Sequence, residues 1–422
     1  RPGIRVPEKA DRAGSGEGTG MRLTDRFLRY VTMDTQSDHT SQTVPSTPGQ
    51  QVLAARLMEE LADLSIPCTC KEGVVYAHLK ATDPDAGCAA GFLAHMDTAE
   101  ELTGAGVKPR IIKAYDGSPI VLNDRYSMSP AEFPALSLVT GDDLIVTDGM
   151  TLLGGDDKAG VAVIMQALEE IRQEPHRELY IAFTPDEEIG RGTDHFDLAQ
   201  FPAAWAWTVD GDAVNQVDWE TFNAARADLQ IQGLAIHPGE AKGRMINAVQ
   251  IAADIAASFP ADQMPAATEG RQGFWHLTGL SGTVEQARVS WIIRDHDTGA
   301  FEKRKAFVQE LVADWEKKYP GCLRLTVTDQ YLNMARFMPE SADGTCPAVR
   351  EAETAMKKLG LTPVSIPVRG GTDGAMLSAR GLFTPNLGTG SWNHHGRYEF
   401  ASVQKMETMK EIVKELMKGR DL

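Results

Sequence analysis

Thr151 to Gly160 set two adjacent carboxylates, Asp156 and Asp157, behind the glycine pair Gly154-Gly155. The apolar run Ala159–Leu168 follows at once, so the stretch predicts a tight loop feeding a helix, with the acidic pair at its start. Free backbone N–H groups and the helix dipole favour a carboxylate there, and an ordinary helix cap is one reading of either Asp. Four other segments place metal-ligand side chains beside predicted strands or tight turns. His95-Met96-Asp97 follows Gly91–Ala94, and Glu187-Glu188 follows Tyr180–Thr184. Asp210 follows Trp205–Val209, and His394-His395-Gly396 follows the turn at Gly388–Gly390. Singly, each has a plain reading as a rim histidine, an acidic turn, an Asp-Gly turn or a solvent-facing pair. Jointly, they gather where an open α/β sheet binds ligands, beyond the carboxyl ends of its strands.

Imidazole with carboxylate and no cysteine suits zinc, manganese or cobalt better than calcium or magnesium. Two histidines, a bridging carboxylate and two further carboxylates would fill two sites that share one water. Paired metals can hold and ionise that water, and a spare carboxylate beside them can serve as general base. Glu187 and Glu188 can divide those tasks, one taking a proton and the other a metal.

These residues need a scaffold, and the hydrophobic periodicity describes one. Helical spacing marks Met21–Met33 and the stretch after Thr47-Pro48, where Thr47 reads as N-cap and Pro48 as first helical residue. Strands are predicted at Val74–Leu79, Ala89–Ala94, Leu144–Thr147, Leu179–Thr184 and Trp205–Val209. A helix runs from the Asp pair to about Gln173, while 100–150 reads as mostly loop. Strands alternating with helices predict an α/β fold with a mainly parallel, helix-covered sheet. From about Ala224 the order changes to strand (Ala227–Ile231), helix (Gly243–Ser258) and two strands (Phe274–Leu280, Ala287–Ile293). A helix (Phe301–Lys318) and a strand (Leu323–Thr328) complete it. That is the ferredoxin-like β-α-β-β-α-β order, which can be inserted into a larger domain because its ends lie close together. After Asn333 the first pattern resumes: a helix at Pro347–Leu359, a strand at Val364–Ile366 and a helix at Thr372–Ala379. The strand Leu382–Leu387 and the helix Val403–Met417 end the chain. The division predicted is 21–221 with 333–422 as one domain, and 222–332 as a lid.

At 422 residues the chain has room for two domains. Its formal charge of −17 argues against a nucleic-acid groove or a basic membrane-binding patch. No apolar run approaches spanning length. The 5 cysteines are scattered, and Cys68/Cys70 form C-x-C rather than a C-x-x-C site, which points to free thiols in a reducing, cytoplasmic compartment. Residues 1–20 lack a hydrophobic signal core and read as a disordered extension or a remnant of expression. An exposed lid edge strand could pair with a second copy, so a homodimer is possible.

Several stretches together carry a family resemblance: Asp34-Thr35-Gln36-Ser37, Val44-Pro45-Ser46-Thr47, Thr147-Asp148-Gly149, Leu152–Gly160 and Ala182–Glu188. His237-Pro238-Gly239, Arg294-Asp295 and Arg369–Gly374 complete the set. From about Met21 to its end the chain resembles the di-zinc M20 metallopeptidases, and among them the tripeptide aminopeptidases. The resemblance implies that His95 and Asp210 bind one zinc, that Glu188 and His395 bind the other, and that Asp156 bridges them through a cis Asp156–Asp157 peptide. It implies that Asp97 orients His95 and that Glu187 is the base acting on a metal-bridging water. His237 would stabilise the oxyanion and Arg294 the carboxylate of a short peptide, with Asn247 and Gly371 at the substrate. Arg294 beside Asp295 and Asp297 also fits a surface ion pair, and Gly370-Gly371 a plain turn. Two positions depart from the family pattern: Asp212 stands where a glycine is usual, and His394 where an aromatic is usual. The residue directly before Gly396, His395, is taken as the ligand. Removal of an N-acyl group by the same fold, or metal binding without catalysis, are the alternative functions.

Overall fold

A computed structural model of the chain describes residues 20–340, 344–420 and 422. The predicted N-terminal extension, apart from Gly20, lies outside the described residues. A seven-stranded sheet runs in the order Cys68–Lys71, Val74–Leu79, Leu179–Thr184, Ala90–His95, Trp205–Gly211, Asn386–Gly388, Val217–Asp218. The strands from Leu179–Thr184 to Asn386–Gly388 are mutually parallel, and the outer pairs are antiparallel. Parallel strands covered on both faces must be apolar throughout, and Ala90–His95 is buried at every position.

The helix Gly155–Ile171 lies across this sheet and is buried almost all round, as its apolar sequence requires. Val161, Ile164 and Leu168 share a core with Phe92, Phe183 and Trp207 of the sheet. Phe27, Leu57 and Ile412, from the helices Leu23–Val31, Pro48–Asp63 and Val403–Lys418, close the same core. Burying each such side chain stabilises by about 1.5–3 kcal/mol. The core therefore holds the start of the helix, and the Asp pair with it, in one place.

The inserted unit has the predicted element order, with strands Asn223–Gln232, Phe274–Gly282, Gln286–Asp295 and Leu323–Tyr331 and helices Ala248–Ala257 and Thr298–Lys318. Its antiparallel sheet is ordered Phe274–Gly282, Gln286–Asp295, Asn223–Gln232, Leu323–Tyr331. Alternation along Gln286–Asp295 turns Ala287, Val289, Trp291 and Ile293 inward, against Ile255, Phe301 and Val308. Two asparagines tie the crossings into this unit. Asn333 N–H donates to Asn223 Oδ1 at 2.9 Å and Thr221 N–H to Asn333 Oδ1 at 3.1 Å. Both side-chain amides donate to His296 O.

Local differences from the sequence reading have local causes. The helix predicted at Gly243–Ser258 begins at Ala248, because Asn247 Oδ1 accepts the Gln250 N–H and caps it there. Thr47 holds the cap position of its helix, but its hydroxyl donates to Gln36 O instead. Val364 makes only an isolated bridge to Gln216, and the strand predicted at Leu382–Leu387 is Asn386–Gly388, in the large sheet. The 100–150 stretch is more than loop. Arg110–Ile112 and Leu144–Val146 form a small sheet with Phe400–Ser402 and Ser391–Trp392. Tyr115, Leu136, Val146, Trp392 and Phe400 give it a core of its own. Leu144–Val146 answers the strand predicted at Leu144–Thr147, while the other three, of two or three residues, are too short to show a period. Among the described residues no helix is long and apolar enough to cross a membrane.

Candidate metal centre

Three neighbouring parallel strands end at one edge of the large sheet, and each delivers an acid or an imidazole there. His95 is the last residue of Ala90–His95, Asp210 lies at the end of Trp205–Gly211, and Glu187-Glu188 begin a short turn just past Leu179–Thr184. Asp156 comes from the non-helical start of Gly155–Ile171, and His395 from the turn after Ser391–Trp392. Asp156 presents one oxygen to each histidine: Oδ1 lies 2.8 Å from His95 Nε2 and Oδ2 lies 3.3 Å from His395 Nε2. On one side His95 Nε2 also meets Asp210 Oδ1 at 3.3 Å. On the other, His395 Nε2 meets Glu188 Oε2 at 3.0 Å. This is the pairing that two cations sharing a carboxylate require.

The two adjacent aspartates divide their work. Neither has helical dihedrals, and the peptide between them is cis. Asp157 is fully buried, and its carboxylate accepts the N–H groups of Gly160 and His95. Asp157 is therefore the helix cap, while Asp156 is left free to face the histidines. A side chain on Gly160 would collide with Val209 O and the Asp157 carboxylate.

Asp97 is equally buried and supports the glutamate turn as well as His95. Its Oδ1 lies 3.2 Å from His95 Nδ1, which also approaches the Asp97 carbonyl at 3.1 Å. The same carboxylate accepts Glu187 N–H at 3.0 Å and Glu188 N–H at 3.1 Å. Asp186 fixes that turn from the opposite side by accepting Ser46 N–H, the Ser46 hydroxyl and the Gln50 amide. Its own backbone is left-handed, at φ 54°.

Electrostatics test whether a cation fits. Burial pushes Glu187 well above the usual carboxylate range, and Asp210, Asp373 and Glu188 add to the shift. Burial likewise takes Glu188 to about 7 and Asp210 to about 6. His395 rises to about 11 through its bonds to Asp156 and Glu188. Carboxyls that burial keeps from ionising stand beside an imidazole that holds its proton against neighbouring carboxylates, so the cluster lacks positive charge. Divalent cations answer it. Glu188 Oε1 is buried without a hydrogen-bond partner among the described residues. Such an atom is costly to leave unpaired and is what a metal ligand looks like among protein groups alone. The residues present therefore fit two metals.

Residues 151–419 match the model of a family described as Peptidase family M20/M25/M40. The chain belongs to that family. It is 44% identical over 403 residues to Peptidase T of Clostridium perfringens, covering 94% of this chain and 98% of the relative. To Peptidase T of Geobacillus sp. strain WCH70 it is 46% identical over 405 residues, at 94% and 98% coverage. Among solved structures, the aminopeptidase PepT of Bacillus cereus superposes with a TM-score of 0.73 at 24% identity, covering 94% of this chain and 98% of that one. A tripeptidase of Staphylococcus aureus gives 0.74 at 21% identity, covering 94% and 97%.

In this M20 peptidase the remaining predicted residues are more widely spread. The Arg294 guanidinium stacks over the Tyr331 ring at 5.1 Å and donates to Gln330 Oε1 at 3.0 Å. The Tyr331 ring packs against Gly371, so Arg294 lies where the insertion meets the 333–422 segment. It does not form the surface pair with Asp295, which bonds Arg304 instead. A Cβ on Gly371 would lie 2.6 Å from the Tyr331 ring, so that glycine is needed for the ring's approach. His237 is exposed on the insertion, and its Nδ1 accepts the Gly239 N–H. Asn247 is the helix cap already described. His394 Nδ1 lies 3.5 Å from Asp156 Oδ2, with Ser391 Oγ at 3.1 Å and Asp212 Oδ1 at 3.7 Å from its Nε2.

Tyr331 and Glu399 escaped the sequence reading. Tyr331 falls at the end of an ordinary strand pattern. A lone acid between Tyr398 and Phe400 was the available signal for a buried carboxylate.

Proposed function

We propose that this M20 peptidase is an aminopeptidase that removes the N-terminal residue from tripeptides at a two-zinc centre. The observation that carries the reading is Asp156 facing His95 and His395 with a different oxygen each, flanked by Asp210 and Glu188. His95 and Asp210 would hold one cation and Glu188 and His395 the other, with Asp156 serving both. The donor set supports zinc and accepts manganese or cobalt. When bound, such a pair polarises a carbonyl and lowers the pKa of water. Glu187, its backbone held by Asp97, takes a proton from the attacking water and passes it to the leaving amine. The burial and, after it, the acidic neighbours that raise its pKa suit a group that must hold that proton between the two steps. Arg294, stacked on Tyr331, binds the substrate carboxylate.

The tie between Asn223 and Asn333 supports a division into 21–221 with 333–422 and a lid of 222–332. Lid closure then brings the exposed His237 to the developing oxyanion, with Asn247 and Gly371 lining the substrate path. The open edge strand Phe274–Gly282, with Leu277 and Leu280 exposed, supports a homodimer, which sedimentation would reveal. Free cysteines support a cytoplasmic setting.

Metal content measured beside hydrolysis of a free tripeptide and of an N-acyl amino acid tests the reading. Two zincs per chain with activity on the tripeptide are expected. Activity on the acylated amino acid alone would make the protein an amidohydrolase, and bound metal without either activity would remove catalysis.

A further inference from the structure

Glu399 is a carboxylate that no step of the proposed reaction uses, yet it is only 2% exposed. One loop engages both of its oxygens. Oε2 accepts the N–H groups of Leu153 at 2.7 Å and Gly154 at 2.8 Å, and Oε1 accepts that of Asp156 at 2.9 Å. Backbone N–H groups converging on an anion form a nest, and here the anion belongs to the same chain. Gly154 takes the left-handed conformation, at φ 81°, that lets the loop curl around it. A Cβ on Gly155 would stand 3.0 Å from Glu399 Oε1, so the nest closes tightly on that side.

The position of Glu399 in the chain gives the contact its meaning. It lies 243 residues from Asp156, in the segment that also carries His395. That segment is a short hairpin, Ser391–Trp392 paired with Phe400–Ser402, so His395 and Glu399 move as one piece. Asp156 therefore donates its N–H to the same hairpin whose imidazole faces its Oδ2 at 3.3 Å. A rotation of the loop would change that spacing and the 2.8 Å approach of Oδ1 to His95 together.

We infer that Glu399 is a positioning residue for the metal centre: by gripping the N–H groups of Leu153, Gly154 and Asp156 it sets the spacing between the Asp156 carboxylate and His395, and thereby the affinity for the cation those two share. The inference rests on the two-metal reading above.

Glu399→Gln tests it, because it keeps the side-chain volume and one acceptor oxygen while turning an NH2 group against the N–H groups of the loop. Zinc dissociation constants are measured by competition with a chromophoric chelator, on protein shown to be folded by circular dichroism. The absorption spectrum of the cobalt-loaded protein reports the ligand geometry. Zinc bound about 10–100-fold more weakly, with an altered cobalt spectrum, is expected. Glu399→Asp keeps the charge but withdraws it by one methylene, and should fall between the two. A support role confined to folding would lower the melting temperature and leave both zinc constants and the cobalt spectrum as in the unaltered protein, which overturns the inference. Should Glu399→Gln not fold, the zinc constants and cobalt spectrum of Glu399→Asp decide in the same way. An unaltered protein that binds no zinc removes the two-metal reading, and this inference with it. Two zincs held equally by the variant and the unaltered protein remove only the inference.

Discussion

Replacing Asp97 by asparagine should cost about a hundredfold in kcat/KM, and the structure says through which bonds. Asp97 is fully buried and accepts Glu187 N–H at 3.0 Å on Oδ1 and Glu188 N–H at 3.1 Å on Oδ2. Asparagine can satisfy one of these and sets an NH2 group against the other. A hydrogen bond to a charged group contributes about 1.5–3 kcal/mol, and a buried N–H left facing a donor costs about 1–3 kcal/mol more. These bonds exist before substrate binds, so their loss slows turnover through the displacement of Glu187 it causes, and a displacement of about 1 Å costs roughly two powers of ten in rate. His95 is better protected, because its Nδ1 also lies 3.1 Å from the Asp97 carbonyl, which the substitution keeps. Turnover should therefore fall further than zinc affinity. The assay is steady-state hydrolysis of a free tripeptide at saturating zinc, with zinc constants measured on the same samples. A kcat/KM within threefold of the unaltered protein would refute the reasoning, as would a loss wholly explained by missing zinc.

Glu187→Gln should lower kcat by about 10²–10⁴ while both zincs stay bound, the usual contribution of a general base. Loss of a zinc in metal analysis would instead make Glu187 a ligand. His395→Ala should release one zinc and His394→Ala should keep two, since His395 meets both Glu188 and Asp156; metal counts in the opposite order would exchange the two residues. Arg294→Ala should raise KM for tripeptides about tenfold or more, through loss of a charge-assisted bond, with kcat less affected. An unchanged KM would take Arg294 out of the substrate site.

Local physics made much of this protein readable in one dimension. The alternation of Gln286–Asp295 and the apolar run after Asp157 needed no partner to be seen, because side-chain period follows from backbone geometry. The inserted β-α-β-β-α-β order and the five ligand-bearing segments were legible for the same reason, since each is a short contiguous pattern. The small sheet around Leu144–Val146 was legible only as that one strand, because its other strands are two or three residues long and Phe400–Ser402 joins it from more than two hundred positions away.

Residue types and their neighbours in the sequence thus determined which side chains could bind metal and which elements carry them. Only the tertiary structure decided how they share the work. Asp156 and Asp157 are adjacent and chemically identical, yet one caps a helix and the other faces two histidines. The distinction comes from what packs around each: His95 and Gly160 N–H groups on Asp157, and the Glu399 carboxylate behind Asp156. Those partners arrive from strands and turns up to 243 residues away. Burial then does the rest, removing the water that would otherwise satisfy each carboxylate and leaving its remaining oxygen for a cation.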